Sequence, residues 1–246
     1  MAHIAEIWRY PIKSHGRDSV DQIAVTAQDT LPWDRAWAVV HDASDVDGST
    51  WVPCNNFSIG SKAPKLMSIN ASWDEASHKL TLTHPDLASI TIDPDTDQAA
   101  FINWAAPLVP ENRAQSVRLV RAQSRGMTDT GYPSLSLGDL ASHQGFCGRL
   151  GQDISMNRWR GNFWIEGLEP WQEFDWIDRT VRIGSVQFKI TEPVERCMAT
   201  TANPETGVRD VDTLKALNDM GHQNFNVYAI AQTSGVIKLG DTLEVM

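Results

Sequence analysis

The sequence has little positive charge, little cysteine and no long apolar run. Lys and Arg contribute 21 of the 246 residues against 31 Asp and Glu, which gives a formal net charge of −10. A nucleic-acid duplex or an anionic membrane surface would repel such a chain, so we expect neither as a partner. No apolar stretch approaches the roughly 20 residues that cross a bilayer. The N-terminus also lacks a basic segment followed by an apolar one, and we therefore expect a cytoplasmic protein.

The three cysteines do not form a recognisable framework. Cys54, Cys147 and Cys197 are odd in number, widely spaced and in no CxxC pattern. This argues against a disulfide scaffold and against a cysteine zinc site. Because a free cysteine is usually a small buried apolar residue, we expect this role for Cys54 and Cys147.

The common catalytic motifs are missing as well. There is no GxSxG, Walker A, HExxH or dinucleotide-binding GxGxxG fingerprint. The seven histidines include no pair at metal-ligand spacing. A histidine-based hydrolase or a zinc enzyme is therefore not favoured. The length suits one large or two small domains with a real hydrophobic core.

Short segments with strand patterns dominate the chain and predict a β-rich α+β fold in two lobes. Short helices are expected at residues 95–104, 136–143 and 210–220, with Asp95, Ser136 and Asp210 as their N-caps. The predicted strands cover residues 4–10, 36–41, 66–71, 79–83, 89–92, 116–120, 162–166, 181–183, 186–190, 226–231 and 236–245. A proline-rich polar segment at residues 107–113 is a candidate boundary, which gives domains at residues 1–108 and 109–246.

Basic residues stand beside aromatic residues or turns at the ends of several predicted strands. Lys13 and Ser14 follow the first strand, Arg35 and Arg160 precede two others, and Arg196 follows Pro193 at a strand exit. A guanidinium fork with a neighbouring hydroxyl or turn amide suits phosphate. In an acidic chain this pattern predicts a pocket for an anionic ligand. The alternative is a set of separate surface ion pairs.

Cys197 differs from the other cysteines by its neighbours. It directly follows Arg196 and precedes Thr200 and Thr201 in a segment between a strand and a loop. A neighbouring cation stabilises the thiolate, which is the form that ligates soft metals or attacks electrophiles. Residue chemistry alone leaves both a reactive thiol and a packed thiol open.

These residues carry a resemblance to a known family. The segment at residues 195–207, ERCMATTANPETG, resembles the cysteine signature of the MOSC domain. Residues 10–14 and 34–37 resemble the β-barrel-like domain that precedes MOSC in the branch containing the mitochondrial amidoxime reducing component and bacterial proteins that detoxify N-hydroxylated purines. The match spans nearly the whole chain. The sequence departs from the family pattern at residues 31–33 and 51–57 and at Gly161, where the family has proline.

The resemblance implies a particular fold, cofactor and site. The implied fold is an N-terminal β-barrel-like domain followed by a C-terminal MOSC β-barrel domain with few short helices. The implied cofactor is the molybdenum cofactor, with Cys197 as molybdenum ligand and catalytic residue. Softness matching makes a thiolate suitable for that role. At the family level, pyridoxal phosphate binding is also associated with MOSC domains. The residues expected to bind the molybdenum cofactor are Lys13, Ser14, Arg35, Ser136, Arg160, Asn162, Arg196, Thr200 and Tyr228.

The implied reaction is the two-electron removal of oxygen, as water, from a small N-hydroxylated substrate such as an amidoxime, hydroxylamine or hydroxylaminopurine. The chain has neither a cysteine cluster for an iron–sulfur centre nor a nucleotide fingerprint, so a separate electron-donor protein is expected. Two alternatives stay open. One is a carrier that holds the cofactor, or a persulfide on Cys197, without turnover. The other is a divergent member with an empty pocket and a structural role.

Overall fold

The computed structural model describes residues 1–246 and consists mainly of short strands. The three helices are α1 (Gln98–Ala105), α2 (Leu140–Leu150) and α3 (Thr213–Asn218). The strands are β1 (His3–Arg9), β2 (Asp18–Ser19), β3 (Gln22–Val25), β4 (Trp37–His41), β5 (Asn70–Asp74), β6 (Lys79–His84), β7 (Leu87–Ile92), β8 (Ser116–Arg121), β9 (Leu135–Asp139), β10 (Phe163–Glu166), β11 (Thr180–Ile183), β12 (Val186–Glu195), β13 (Asn224–Ala231), β14 (Gly235–Lys238) and β15 (Leu243–Val245). The β-rich α+β class is confirmed. None of the helices has the length and apolar character that a membrane span requires.

One curled sheet of eight strands forms the largest layer. Its order is β15-β11-β12-β13-β9-β10-β1-β2, and all neighbours are antiparallel except β9 and β10. Apolar side chains alternate along β11 and β12, so these strands bury one face. That face packs into a core that includes Ile7, Leu137, Phe188 and Val227.

A second group of strands packs around a separate core. β5, β6 and β7 form a three-stranded sheet, and β4 pairs with β8. Helix α1 buries Phe101 in this core beside Trp37 and Leu80. The two groups are connected just after β1. This strand pairs with β10 in the large sheet, and Ile12, in the segment that follows it, bridges to Trp37 of β4.

Strand pairing crosses the division at residue 108 in both directions. β1 and β3 pair with β10 and β14, which lie in the second half of the sequence. β8 begins only at Ser116, yet it pairs with β4 in the first half. The domains at residues 1–108 and 109–246 remain a prediction.

The helix expected from Ser136 is wrong. Residues Leu135–Asp139 form strand β9, which is buried along its whole length between β10 and β13. Helix α2 begins at Leu140, and the Asp139 carboxylate caps it by accepting from the Ala141 and Ser142 amides at 2.9 and 3.3 Å. Pairing on both sides fixes an extended backbone at Ser136, which local capping preference cannot override.

The two other helix caps shift because the expected aspartates have distant partners. Asp95 accepts from Trp37 Nε1 at 2.8 Å, and α1 follows Asp97 instead. Asp210 pairs with Arg158 at 2.6 Å, and Asp212 caps α3. Three predicted strand bounds differ as well, one of them at β12, which extends to Glu195 instead of ending at residue 190. Residues Pro64–Ser68 form a 3-10 turn before β5, and a turn with Gly240 at φ 84° splits the last strand into β14 and β15.

A buried carboxyl should make stability depend on pH. Glu173 is fully buried, its Oε2 accepts from Ser142 Oγ at 2.7 Å, and its Oε1 has no partner. Burial, with Asp139 nearby, raises the pKa of Glu173 from 4.5 to about 7. The folded chain therefore binds this proton more tightly than the unfolded chain. The free energy of unfolding should fall as pH rises from about 4.5 to about 7, by up to about 3 kcal/mol.

Glu173→Gln should remove this pH dependence. We expect urea unfolding to show the variant more stable than the wild type at pH 8, with a smaller difference at pH 5. Asp21→Asn, which removes a carboxylate charge at an exposed position outside the groups that shift the Glu173 pKa, is the control and should leave the difference between the two pH values in place. An equal effect of Glu173→Gln at the two pH values would contradict this prediction.

Candidate functional site

One cavity of about 280 Å³ collects side chains from both halves of the chain, and we call it the Cys197 cavity. Every residue of the predicted site lines it except Asn162. Its lining contains five cations (Lys13, Arg35, Arg158, Arg160 and Arg196) and two carboxylates (Asp129 and Glu195). The cavity is therefore locally positive in a chain whose net charge is −10. Such a site attracts anions.

Lys13 is fixed by hydrogen bonds from both its backbone amide and its side chain. Its amide donates to the Trp37 carbonyl at 2.8 Å, which ties the segment after β1 to β4. Its buried ammonium donates to the Met127 carbonyl at 2.8 Å and to Asp129 at 2.5 Å. Although desolvation opposes the shift, Lys13 and Arg35 lower the pKa of Asp129 to about 2. Asp129 is therefore an anion at any physiological pH.

The Tyr10 ring holds two guanidinium groups in the cavity wall. Arg35 lies 4.5 Å and Arg160 lies 4.1 Å from the ring centroid. Cation–π contact of this kind stabilises a desolvated guanidinium. The Tyr10 hydroxyl donates to the Gly161 carbonyl at 2.8 Å, so the ring itself is fixed. Asp34 pairs with Arg35 and also accepts from the Tyr10 amide.

Arg160 and Arg196 have no carboxylate partner. Arg160 makes one long hydrogen bond, to the Gly16 carbonyl at 3.4 Å, and its Nη2 is buried without a partner. Arg196 donates to the Phe225 and Trp159 carbonyls. Burial lowers the pKa of each guanidinium to about 10, so both stay charged at neutral pH. An unpaired buried cation is costly unless an anion binds to it.

Three residues that line the Cys197 cavity have an uncommon backbone conformation. Ser14, Arg35 and Arg160 all have left-handed backbones, with φ of 62°, 51° and 51°. Non-glycine residues adopt this conformation at an energetic cost, and such residues concentrate at functional sites. Arg160 ends a 3-10 turn at this point and leads into β10.

Cys197 lies where β12 ends, with its side chain exposed to the cavity. Its carbonyl accepts from the amide and the hydroxyl of Thr200, both at 3.1 Å, which fixes the following 3-10 turn. No group of three or more His, Cys, Asp or Glu side chains is arranged to hold a metal ion. A metal bound at Cys197 would therefore need further ligands from a bound molecule.

Asn162 lies behind the wall and is a positioning residue. It is 1% exposed, and its Oδ1 accepts from the Ser136 amide at 3.1 Å and from Arg35 Nη1 at 3.4 Å. Its Nδ2 donates to the Trp8 carbonyl at 3.1 Å. One side chain therefore joins β1, β9 and the Arg35 guanidinium.

The hydroxyl groups of the remaining predicted residues differ in whether they already have hydrogen-bond partners in the protein. Ser136 Oγ is shared with Asn162, and Thr200 Oγ1 is shared with Thr213 at 2.7 Å. The Tyr228 hydroxyl has no partner in the protein, and burial raises its pKa. Among these three, Tyr228 is therefore the side chain available to a ligand.

The predicted site omits several residues that line the cavity, among them Asp129, Arg158 and Cys54, and Cys54 was also assigned a different role. Asp129 stands in a loop without any pattern, and Arg158 was within a basic segment from which only Arg160 was selected. Cys54, expected as a buried apolar residue, is instead exposed and lines the Cys197 cavity, because it begins a short 3-10 turn in an irregular loop. Cys147 is buried, as expected.

Asn162→Ala should weaken both the fold and the wall of the cavity. Removing a buried amide leaves the Ser136 amide and the Trp8 carbonyl without this partner, which should lower the free energy of unfolding by about 1–3 kcal/mol. Urea unfolding measures the loss. Thr81→Ala, which removes an exposed cross-strand hydroxyl pair, is the control and should cost less than about 1 kcal/mol. A loss no larger than that of the control would contradict the role assigned to Asn162.

Comparison with known proteins agrees with this architecture. Residues 1–125 match the MOSC N-terminal beta barrel domain, and residues 132–244 match the MOSC domain. Mitochondrial amidoxime-reducing component 1 of Mus musculus is 24% identical over 97% of this chain and 80% of its own length. Molybdenum cofactor sulfurase of Anopheles gambiae is 31% identical over 54% of this chain and 15% of its own length.

A solved structure shows the same fold. The YuaD protein of Bacillus subtilis superimposes with a TM-score of 0.50 over 100% of this chain and 96% of its own, at 10% identity. The two domain matches together cover nearly the whole sequence. The chain therefore belongs to the MOSC family, with a MOSC N-terminal beta barrel domain followed by a MOSC domain.

Proposed function

We propose that this protein is a molybdenum-cofactor-dependent reductase of small N-hydroxylated compounds such as amidoximes, hydroxylamines and hydroxylaminopurines. The cofactor would bind in the Cys197 cavity. The observation that carries this proposal is the unpaired Arg160 guanidinium, whose Nη2 is buried without a partner beside an exposed thiol. The anionic phosphate of the cofactor would supply the partner that the protein does not.

The residues present fit such a group. Arg160 and Arg196 lack carboxylates of their own, and the Tyr228 hydroxyl is free. The protein offers the exposed sulfur of Cys197 as a ligand and no complete metal site. This suits a metal that arrives with sulfur ligands already attached. When bound, the cofactor would supply two-electron redox chemistry, while the chain binds and orients the reactants.

The names of the relatives support the same chemistry. Amidoxime-reducing components from Mus musculus and Homo sapiens align with 97% of this chain. Their alignment includes both domains, whereas the sulfurase match covers 54% of the chain. The presence of the N-terminal domain favours the reductase over a sulfur-transfer role.

The predicted site residues have distinct parts in the proposal. Arg160 and Arg196 would bind the cofactor's anionic groups, and Lys13 and Arg35 would add charge while held by Asp129 and Asp34. Ser14, Ser136 and Thr200 would offer hydroxyls at the wall. Asn162 would act through Arg35 and Ser136 rather than by contact. Cys197 would ligate the metal.

Two side chains in the cavity would offer hydrogen-bond donors to a bound substrate. Loss of oxygen as water requires two protons for each substrate. Burial raises the pKa of Tyr228, and partial desolvation together with Asp129 raises that of the Cys54 thiol, so both are protonated at neutral pH. Because a raised pKa makes each of them a weak acid, Tyr228 Oη and Cys54 Sγ would donate hydrogen bonds to the substrate oxygen, and the two protons would come from water.

Electrons would come from a separate donor protein. The chain's three cysteines are free and occur singly, without the set of thiolates that an iron–sulfur cluster needs. An acidic surface would favour a donor with a positive face, in a weak and transient contact.

Reduction of an aryl amidoxime to the amidine tests the proposal. Cofactor-loaded protein and a chemical reductant that replaces the donor should give many amidine molecules per chain, measured by liquid chromatography. Protein that has lost its cofactor is the control and should give none. Loaded protein that makes no amidine and no amine from any of the three substrate types would overturn the reductase.

The second candidate is a carrier of the cofactor or of a persulfide on Cys197. It is favoured by the exposed thiol and by the sequence match to molybdenum cofactor sulfurase. A carrier would transfer cofactor or sulfur to an acceptor enzyme once per chain and would show no reductive turnover. Repeated turnover with the amidoxime would rule it out as the main activity.

A further inference from the structure

A second cavity, of about 300 Å³, shares a wall with the Cys197 cavity. The wall is the segment at residues 54–63. Cys54, Gly60 and Ser61 face the Cys197 cavity, and Ile59 lines both cavities. The other residues of the segment, except Asn56, line the second cavity. The second cavity is lined by His41, Asn55, Phe57, Ser58, Ile59, Lys62, Ala63, Val109, Asn112, Arg113 and Ala114.

The charge of the second cavity is unusual for this molecule. No carboxylate lines it, although Asp and Glu outnumber Lys and Arg in the chain by ten. The Lys62 and Arg113 side chains make no hydrogen bond or ion pair. Of the 21 basic side chains, only those of Arg149 and Lys238 share this state, since even exposed ones such as Arg118 and Lys189 reach a backbone carbonyl. Two free cations thus meet at one concave site.

The floor of this cavity is apolar and firmly held. Phe57 and Ala63 are each 2% exposed and Val109 is 7% exposed. The wall is fixed to strands β4 and β8, where Ser58 donates its amide to the Val39 carbonyl at 2.8 Å and shares its hydroxyl with Ser116 at 2.8 Å. A preformed apolar hollow with a few polar groups at its edge is the usual form of a small-molecule site.

His41 supports the wall, and its ring nitrogens are not available to bind an anion. Its Nε2 donates to the Asn55 carbonyl at 2.8 Å, and its Nδ1 accepts from the Ala43 amide at 3.3 Å. Both ring nitrogens thus already have hydrogen-bond partners in the protein. The charge available to a ligand therefore comes from Lys62 and Arg113.

We propose that the second cavity binds a small organic anion, an aromatic or branched aliphatic carboxylate, at a site distinct from the Cys197 cavity. The apolar body would lie on Phe57, Ile59 and Val109, where it loses contact with water. The carboxylate would pair with Lys62 and Arg113. Neutral molecules of the same shape would gain only the apolar contacts and bind more weakly.

Calorimetric titration of the full chain with 1-naphthoate tests this site. We expect saturable binding to the wild type. Lys62→Gln and Arg113→Gln should each weaken the affinity by about five-fold, the size of one exposed ion pair, and the double variant by more than ten-fold. The neutral 1-naphthol should bind the wild type and the double variant equally. All these positions are exposed, so the variants should melt at the wild-type temperature.

Two control variants separate this site from other positive surfaces. Arg149→Gln removes an equally free cation elsewhere, and Arg160→Gln removes one from the Cys197 cavity; both should leave naphthoate affinity unchanged. Loss of affinity in Arg160→Gln with none in the double variant would place the anion in the Cys197 cavity and overturn the proposal. Absence of binding at millimolar naphthoate would overturn it as well.

Discussion

Cys197→Ser should abolish cofactor retention and reductase activity while leaving the fold intact. Cys197 is exposed at the end of β12, and only its backbone carbonyl is engaged, with Thr200. Replacing Sγ with a hydroxyl therefore disturbs no packing. A serine hydroxyl is a hard and weakly acidic ligand, poorly matched to a metal in a sulfur-rich setting. We expect activity to fall at least about 100-fold.

The matched control for this change is Cys147→Ala. Cys147 is buried in α2 beside His143 and lies outside the Cys197 cavity. It should lower the melting temperature slightly and leave molybdenum content per folded chain unchanged. Retention of both cofactor and activity in Cys197→Ser, with an unchanged melting curve, would show that the metal ligand is misassigned.

Arg160→Gln should weaken cofactor retention and at the same time stabilise the cofactor-free protein. The guanidinium has no carboxylate partner, and burial lowers its pKa from 12.5 to about 10. The charged form is therefore disfavoured in the folded state by up to about 3 kcal/mol at neutral pH. Removing the charge should raise the free energy of unfolding of the cofactor-free protein by about 1–3 kcal/mol.

Loss of the same charge should cost binding of the cofactor's anionic groups. A hydrogen bond to a charged group contributes about 1.5–3 kcal/mol, so affinity should fall by about ten-fold to a hundred-fold. Arg160→Lys should rescue only part of this, because an ammonium lacks the planar fork. Molybdenum per chain after dialysis and urea unfolding of the cofactor-free protein are the two measurements.

Arg113→Gln and Arg179→Gln are the controls, since both arginines are exposed and outside the Cys197 cavity. Neither should change molybdenum content. The opposite signs of the two effects distinguish a binding role from a folding role. If Arg160→Gln lowers stability and cofactor content together, Arg160 is a structural residue. If it changes neither, the cofactor lies elsewhere.

Local patterns in the sequence were enough to predict most strands and the class of the fold. These patterns are local: apolar residues alternate within a strand, and a turn-forming residue stands at its end, as Pro11 does near the end of β1 and Gly184 between β11 and β12. The predicted helix caps were wrong because contacts between residues far apart in sequence decide these positions. Asp95 and Asp210 are good caps locally, but Trp37 and Arg158 engage them across the fold. Ser136 was placed in a helix, although β10 and β13 hold it in a strand.

The candidate site was predictable where residue type and motif coincide. The cations and Cys197 stand at strand ends in recognisable segments, and the structure brings all of them to one cavity. Asp129 could not be found in this way, because it reaches Lys13 across 116 residues of sequence and belongs to no motif. The sequence around Cys54 likewise contains no pattern that places this residue in the lining of the Cys197 cavity. Only the folded structure shows which of the cationic side chains have no carboxylate partner.

The most direct measurement of the central claim is the molybdenum and pterin content of the purified protein. The full chain should be produced in a host that also loads a control molybdoenzyme, then analysed by elemental analysis and by fluorescence of the oxidised pterin. We expect about one molybdenum and one pterin per chain, and neither in Cys197→Ser. A wild-type protein that carries neither, while the control enzyme from the same cells is fully loaded, would contradict the account.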